Sequence, residues 1–201
     1  MKKTDAIYRE ILYNTIEIKR FDLTQSELSK KLSISLSIVN SVVKRLNSIG
    51  AVKIQQRSFR IIDVMKILYF WASLRNLEKD IIFKIRIDVS VREIERAMLD
   101  LIFTGYTAYK LRFNDIPADY SEVYVYADEE ELEEIKKRFS KFKLSINGKE
   151  NLLVLKKDSL LDLHKKIPLA QIFVDLWNLR EWYAKDFIDA FEKKLKEQEK
   201  K

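Results

Sequence analysis

Cysteine is absent from this 201-residue chain, and histidine occurs once, at His164. The first absence excludes disulfides and thiolate metal sites, and the second excludes a histidine-based metal cluster. With only 3 Gly and 2 Pro, little of the sequence is suited to long loops. No long apolar run or signal-peptide pattern is present. The expectation is therefore no membrane association and a cytoplasmic location. No P-loop, nucleophile elbow or zincin motif appears, so no catalytic residue, cofactor site or metal ligand is assigned. Against these absences, 47% of residues are hydrophobic and 34% charged, which supplies both a core and a solvated surface. The length allows one large or two small domains.

Charge is unevenly placed. The chain carries a formal net charge of +7. Residues 1–60 hold 12 Lys/Arg against 5 Asp/Glu, and residues 61–201 hold 26 of each. The whole basic excess thus lies in the first third. An asymmetry of this kind points to a polyanionic partner for the basic part.

That basic part contains the most ordered pattern in the chain, TQSELSKKLSISLSIVNSVVKRLNSIGAVKIQQRSFR over residues 24–60. Thr24 with Glu27 has the form of a capping box, and Leu28 and Leu32 share a face, so a helix is expected over 26–32. Ser33-Ile34-Ser35 supplies a turn. Ser35 or Ser37 can cap a second helix over 36–49, in which Val39, Val42, Val43, Leu46 and Ile49 recur at core spacing. Gly50 follows where a left-handed residue is wanted. Val52, Ile54, Phe59 and Ile61 then alternate with polar residues about a turn near Gln56-Arg57-Ser58, the pattern of a hairpin.

Helix, turn, helix, glycine and hairpin in this order resemble the winged helix-turn-helix domains of bacterial and archaeal transcription regulators, the MarR-like groups among them. The resemblance spans residues 5–62 and implies a recognition helix at 36–49 and a wing at 51–62. The residues it assigns to DNA are Ser35, Ser37, Ile38, Asn40, Ser41, Lys44 and Arg45 on the helix, with Lys53, Arg57 and Arg60 on the wing. Their chemistry agrees. Ser and Asn can address base edges, while Lys and Arg address phosphates. The partner implied is double-stranded DNA, bound by a homodimer because palindromic sites call for a two-fold protein.

The flanking stretches complete the plan. Ala6, Ile7, Ile11, Leu12, Thr15 and Ile16 form a helical stripe, with Asp5 and Glu10 placed to suit the helix dipole. Residues 63–80 predict a connecting helix whose Val64, Ile67, Leu68, Phe70, Trp71 and Leu74 could be core or a dimer interface. Further on, strands are expected at 81–90, 121–128, around 144–146 and at 151–155. Helices are expected at 91–103, after Gly105, at 129–139 and over 172–195, the last ending in a charged tail at 196–201.

The runs TGYTAYKLRF, YSEVYVYAD, NLLVLKKD and PLAQIFVDLWNLREW resemble the C-terminal domain of AbiE-type antitoxins and related regulators. Ala170, Gln171, Asp175, Leu176 and Arg180 fall on that family's pattern. The resemblance implies a degenerate nucleotidyltransferase-like domain over 81–195, repression of transcription, and a possible toxin as protein partner. The expected fold class is α+β, a winged helix-turn-helix followed by this small α/β domain. A working nucleotidyltransferase needs a Gly-Ser turn and paired carboxylates on the next strand. The chain has Thr104-Gly105-Tyr106-Thr107 and Val123-Tyr124-Val125-Tyr126, with Glu122 and Asp128 only flanking. The expectation is accordingly a DNA-binding repressor and not an enzyme. The alternatives are a protein-interaction module whose winged helix docks protein and, behind it, a nucleotidyltransferase.

Overall fold

The computed structural model of the chain describes residues 2–140 and 148–199. It is a mixed α+β protein with two small sheets. The chain divides into two compact units, one of Met1–Arg75 with Pro168–Val174, the other of Asn76–Ile167 with Asp175–Lys201.

In the first unit, helix α1 (Lys3–Ile16) is enclosed on every side. Each residue from Asp5 to Leu12 is buried, including three ionisable ones that the sequence pattern had placed off the apolar stripe. A buried charge is tolerable only with partners, and each of the three has them. Asp5 accepts from the Trp71 indole N–H at 3.1 Å. Arg9 donates to Gln171 at 3.3 Å. Glu10 accepts from Lys31 at 2.6 Å and from Asn14 at 2.5 Å. Glu10 thus ties α1 to helix α2 (Gln25–Leu32) and does more than complement the helix dipole.

Helix α2 begins at Thr24, whose hydroxyl accepts from the Glu27 N–H at 3.1 Å. The Glu27 carboxylate is engaged by Arg20 at 2.8 Å. Helix α3 (Leu36–Ser48) buries Val39, Val42, Val43 and Leu46 as its spacing requires. Its first-turn cap differs from expectation: Ser35 occupies the N-cap without a side-chain cap bond, because its hydroxyl lies 3.2 Å from that of Ser37. Gly50 takes φ +71°, the left-handed conformation that lets the chain turn back on α3. Strands β1 (Asp22–Leu23), β2 (Val52–Ile54) and β3 (Phe59–Ile61) form an antiparallel sheet in the order β1-β3-β2. Val52, Phe59 and Ile61 point inward, but Ile54, expected to join them, is 40% exposed because the strand is ending there.

The expected connecting helix over 63–80 is shorter. Helix α4 (Val64–Leu74) stops before Arg75, and a separate 3-10 turn covers Leu77–Asp80. Asp63 caps α4 by accepting from the Lys66 N–H at 2.9 Å. Ile67, Leu68, Trp71 and Ala72 are core residues, which removes Trp71 from any interface. Tyr8 stacks on Trp71 and meets Phe70 edge-on.

The second unit is built on a four-stranded sheet, order β4-β7-β6-β5. Its strands are β4 (Ile81–Ile85), β5 (Ile102–Thr104), β6 (Val123–Ala127) and β7 (Leu152–Lys156). The β6/β7 pair is parallel and the outer pairs are antiparallel. Every residue of β6 is buried, so both faces of its Val/Tyr alternation are covered. The helices are α5 (Val91–Ala97), α6 (Gly105–Phe113), α7 (Glu129–Phe139), α8 (Leu169–Trp177) and α9 (Ala184–Glu199). Residues 169–174 of α8 count with the first unit and 175–177 with the second. Helix α7 opens on a reciprocal capping box between Asp128 and Glu131 and closes on Lys136, Lys137 and Arg138, both favourable to its dipole.

Three expectations are corrected here. The helix expected over 91–103 ends at Ala97, and Ile102–Thr104 becomes strand β5. Pairing with β6 overrides the helical spacing of Leu101 and Ile102, and Arg138 clasps the turn through Asp100 at 2.8 and 3.0 Å. The helix expected over 172–195 is two helices. Its break lets Leu179 pack against Leu77, Tyr126, Leu155 and Leu161. The charged tail continues helix α9 to Glu199. The strand expected at 144–146 lies outside the described residues.

Asp175 is the polar centre of this unit. Fully buried, it accepts from the Thr104 hydroxyl at 2.7 Å and the Tyr126 hydroxyl at 2.5 Å. Around α6 and α9, Tyr106, Tyr109 and Phe113 pack on Phe187 and Phe191 with ring centroids 4.9–5.7 Å apart. Burial pushes the Tyr106 and Tyr109 hydroxyls well above the ordinary tyrosine range. The aromatic-rich C-terminal segment is therefore mainly core; Trp177 and Trp182 are the exceptions and face solvent.

Replacing Asp175 by Ala removes the acceptor shared by two buried hydroxyls, and the expected cost is about 2–4 kcal/mol. It should appear as a lower urea midpoint at unchanged slope. Asp175→Asn keeps an acceptor and should cost less. Trp71→Phe removes the donor to Asp5 and is expected to cost about 1–3 kcal/mol in the same assay.

Candidate nucleic-acid interface

All ten residues assigned from sequence to DNA contact lie in the first unit, on α3 and the β2–β3 hairpin. The structure separates them into groups with different freedom to act.

Ser37, Ser41 and Lys44 stand on the side of α3 opposite its buried valines and are exposed. At 100° per residue they cluster within about one-sixth of a turn, so a ligand approaching that face meets two hydroxyls and an ammonium together. Ser35 is exposed two residues before Ser37, at the N-cap, and engaged with it. Asn40 is half-buried, and its amide donates to Gln25 of α2 at 2.9 Å. Ile38 is half-buried on the opposite flank.

Arg45 is turned toward α1. It lies beside Tyr8, and burial pushes the Tyr8 hydroxyl above the ordinary tyrosine range while the guanidinium opposes the shift. Arg45 and Ser41 share a cleft of about 160 Å³ with Lys2, Thr4, Asp5, Tyr8, Val42 and Leu74. The guanidinium thus lies at the edge of the α3 face, beside the start of α1.

On the hairpin, Lys53 and Arg60 face each other across β2 and β3, and Asp22 of β1 is opposite Arg60. Arg60 pairs with Asp22 at 2.6 Å, so its charge is balanced within the sheet. Lys44, Lys53 and Arg57 are exposed and have no carboxylate partner among the described residues. They are the cations of this surface best able to meet an anion. The tip is a tight turn, in which Gln55 N–H donates to the Ser58 carbonyl at 2.9 Å and the Ser58 hydroxyl to the Gln55 side chain at 2.7 Å.

Sequence reasoning missed two positioning residues. Asn47, at the polar edge of α3, accepts from the Ile54 N–H at 3.2 Å and fastens the hairpin to the helix. Gln25 holds Asn40. Neither carries a local signal, because each partner belongs to another element.

In the second unit, the turn and strand singled out from sequence lie at the start of α6 and in β6. Gly105 takes φ +60° at the start of α6, and a Cβ there would meet Leu179 and Tyr124 at 3.4 Å. Strand β6 carries no carboxylate. Glu122 is buried against the Tyr183 hydroxyl and Lys149, and Asp128 caps α7, accepting from the Glu131 N–H at 2.9 Å. The two acids are thus occupied in separate places. The residues the antitoxin resemblance singled out are structural as well: Gln171 holds Arg9 and Asp175 holds Thr104 and Tyr126. Arg180 pairs with Glu78 at the surface. Among the described residues no group of three or more His, Asp or Glu could hold a metal ion, and no helix is long and apolar enough to cross a membrane.

No protein-family model matches this chain, and neither a curated protein nor a solved structure matches it.

Asn47→Ala should release the hairpin without touching the core. The expected outcome is faster hydrogen exchange at the Ile54 amide, with the amides of Val43 and Leu46 unchanged.

Proposed function

We propose that the chain is a sequence-specific double-stranded DNA-binding transcription regulator. In this reading the first unit is a winged helix-turn-helix with α3 as recognition helix and β2–β3 as wing. The second is a nucleotidyltransferase-like domain without transfer chemistry. The protein acts as a homodimeric repressor of antitoxin-like type, with a toxin as a further partner.

One observation carries the reading. The cations without carboxylate partners on α3 and the hairpin, Lys44, Arg45, Lys53 and Arg57, accompany the exposed Ser37 and Ser41. They lie in the third of the chain that holds its entire net charge. Cations meet phosphates without regard to sequence, and short donors and acceptors on the helix read base edges.

A second reading has its own support. Leu36, at the start of α3, is 52% exposed, and Ile54, at the end of β2, is 40% exposed. Apolar residues at these positions suit a protein partner as well as thymine methyl groups.

Duplex binding at two salt concentrations, with the protein's own promoter against unrelated DNA, separates the readings. The expected result is promoter preference that persists at the higher salt. Absence of binding at either salt would transfer the surface to a protein partner. Lys44→Ala with Arg57→Ala should weaken binding to all duplexes and reduce the salt slope by about 2. Arg60→Ala should do less, since Asp22 already balances that charge. Substituting Ser37 or Ser41 should change preference among sequences.

A further inference from the structure

The second unit contains a cleft of about 310 Å³ between α5 and α6 that the DNA-binding reading leaves unused. Its lining includes Arg92, Arg96 and Leu99 on one side and Thr107, Lys110 and Leu111 on the other. At its base lies Glu95, 8% exposed. That carboxylate accepts from the Thr107 hydroxyl at 2.9 Å, from the Tyr120 hydroxyl at 2.6 Å and from the Lys110 ammonium. Its acceptor capacity is largely taken up, and the charge of Lys110 is balanced by it.

The two arginines are different. Arg86, Arg138 and Arg180 of this unit each sit against a carboxylate, and Arg112 is also engaged. Arg92 and Arg96 have no hydrogen-bond or ion-pair partner among the described residues, although Glu93 is near Arg96 along the helix. Both line this cleft, one helical turn apart, a spacing that brings their side chains to the same face. Leu99 and Leu111 are 72% and 62% exposed beside them. Two guanidiniums next to two open leucines favour a ligand with an anionic head and an aliphatic body. Phe103 is buried at the cleft wall and offers no open ring for a nucleobase.

We infer that the α5–α6 cleft is a binding site for a small organic anion, a phosphate or carboxylate head held by Arg92 and Arg96 with an aliphatic chain against Leu99 and Leu111. The inference stands apart from the first unit and from DNA.

The test is calorimetric titration of the full chain with hexyl phosphate, and in parallel with inorganic phosphate and with hexanol. Saturable one-to-one binding of hexyl phosphate is expected, tighter than either control. In the Arg92→Gln, Arg96→Gln variant it should weaken about tenfold or more. Both positions are exposed, and unchanged circular dichroism and melting would show that the variant is folded. Failure of hexyl phosphate to saturate would overturn the assignment. So would unchanged affinity in the double variant, or a control ligand that binds as tightly.

Discussion

A charge taken out of water must be met by a partner, and helix α1 carries three such residues into the interior of the first unit. Asp5, Arg9 and Glu10 lie within two turns of one another, yet each is answered by a different element: Trp71 of α4, Gln171 of α8 and Lys31 of α2. An apolar helix could slide or rotate among hydrophobic neighbours at modest cost. This one cannot, because moving it leaves buried ionic groups bare. The orientation of α2 and the docking of the chain's later segment 168–174 within the same unit both follow from these pairings. Since α2 in turn packs on α3, the exposed face of α3 inherits its frame from interactions well inside the unit.

The second unit repeats the device with one residue. Asp175 gathers Thr104 from β5 and Tyr126 from β6, so a single carboxylate fixes two strands of the sheet to the end of α8. Polar groups that a family resemblance would offer as functional are here consumed by architecture. The same holds for Glu122 and Asp128, which are occupied by Tyr183 and by a helix cap. The two exposed arginines of α5 have no such duty.

Much of the local structure was legible in the sequence. Helix α3 and the hairpin follow from periodicity, and α7 from its charges and the spacing of Leu132, Ile135 and Phe139. What escaped was set at long range. The all-round burial of α1 was hidden because Asp5 and Glu10 read as acids suiting the helix dipole and Arg9 carried no signal; the partners of the three lie 66, 162 and 21 residues away. Strand β5 was hidden because Leu101 and Ile102 keep helical spacing, and only β6 makes them strand. The break at 178–183 depends on a pocket for Leu179 that no local window contains. For the candidate interface, residue types and faces were readable, while the engagement of Arg60 by Asp22 and the placement of Arg45 beside Tyr8 were not. Both partners come from other elements.

The hairpin is fastened twice, at the end of β2 by Asn47 and across its tip by Gln55 and Ser58. A longer, unbraced loop would have to surrender its conformational freedom on meeting a partner, and that loss would subtract from affinity. Here the ordering is completed during folding. Arg57 is therefore held in register with α3 by the fold itself, so this surface has a fixed shape as well as a charge.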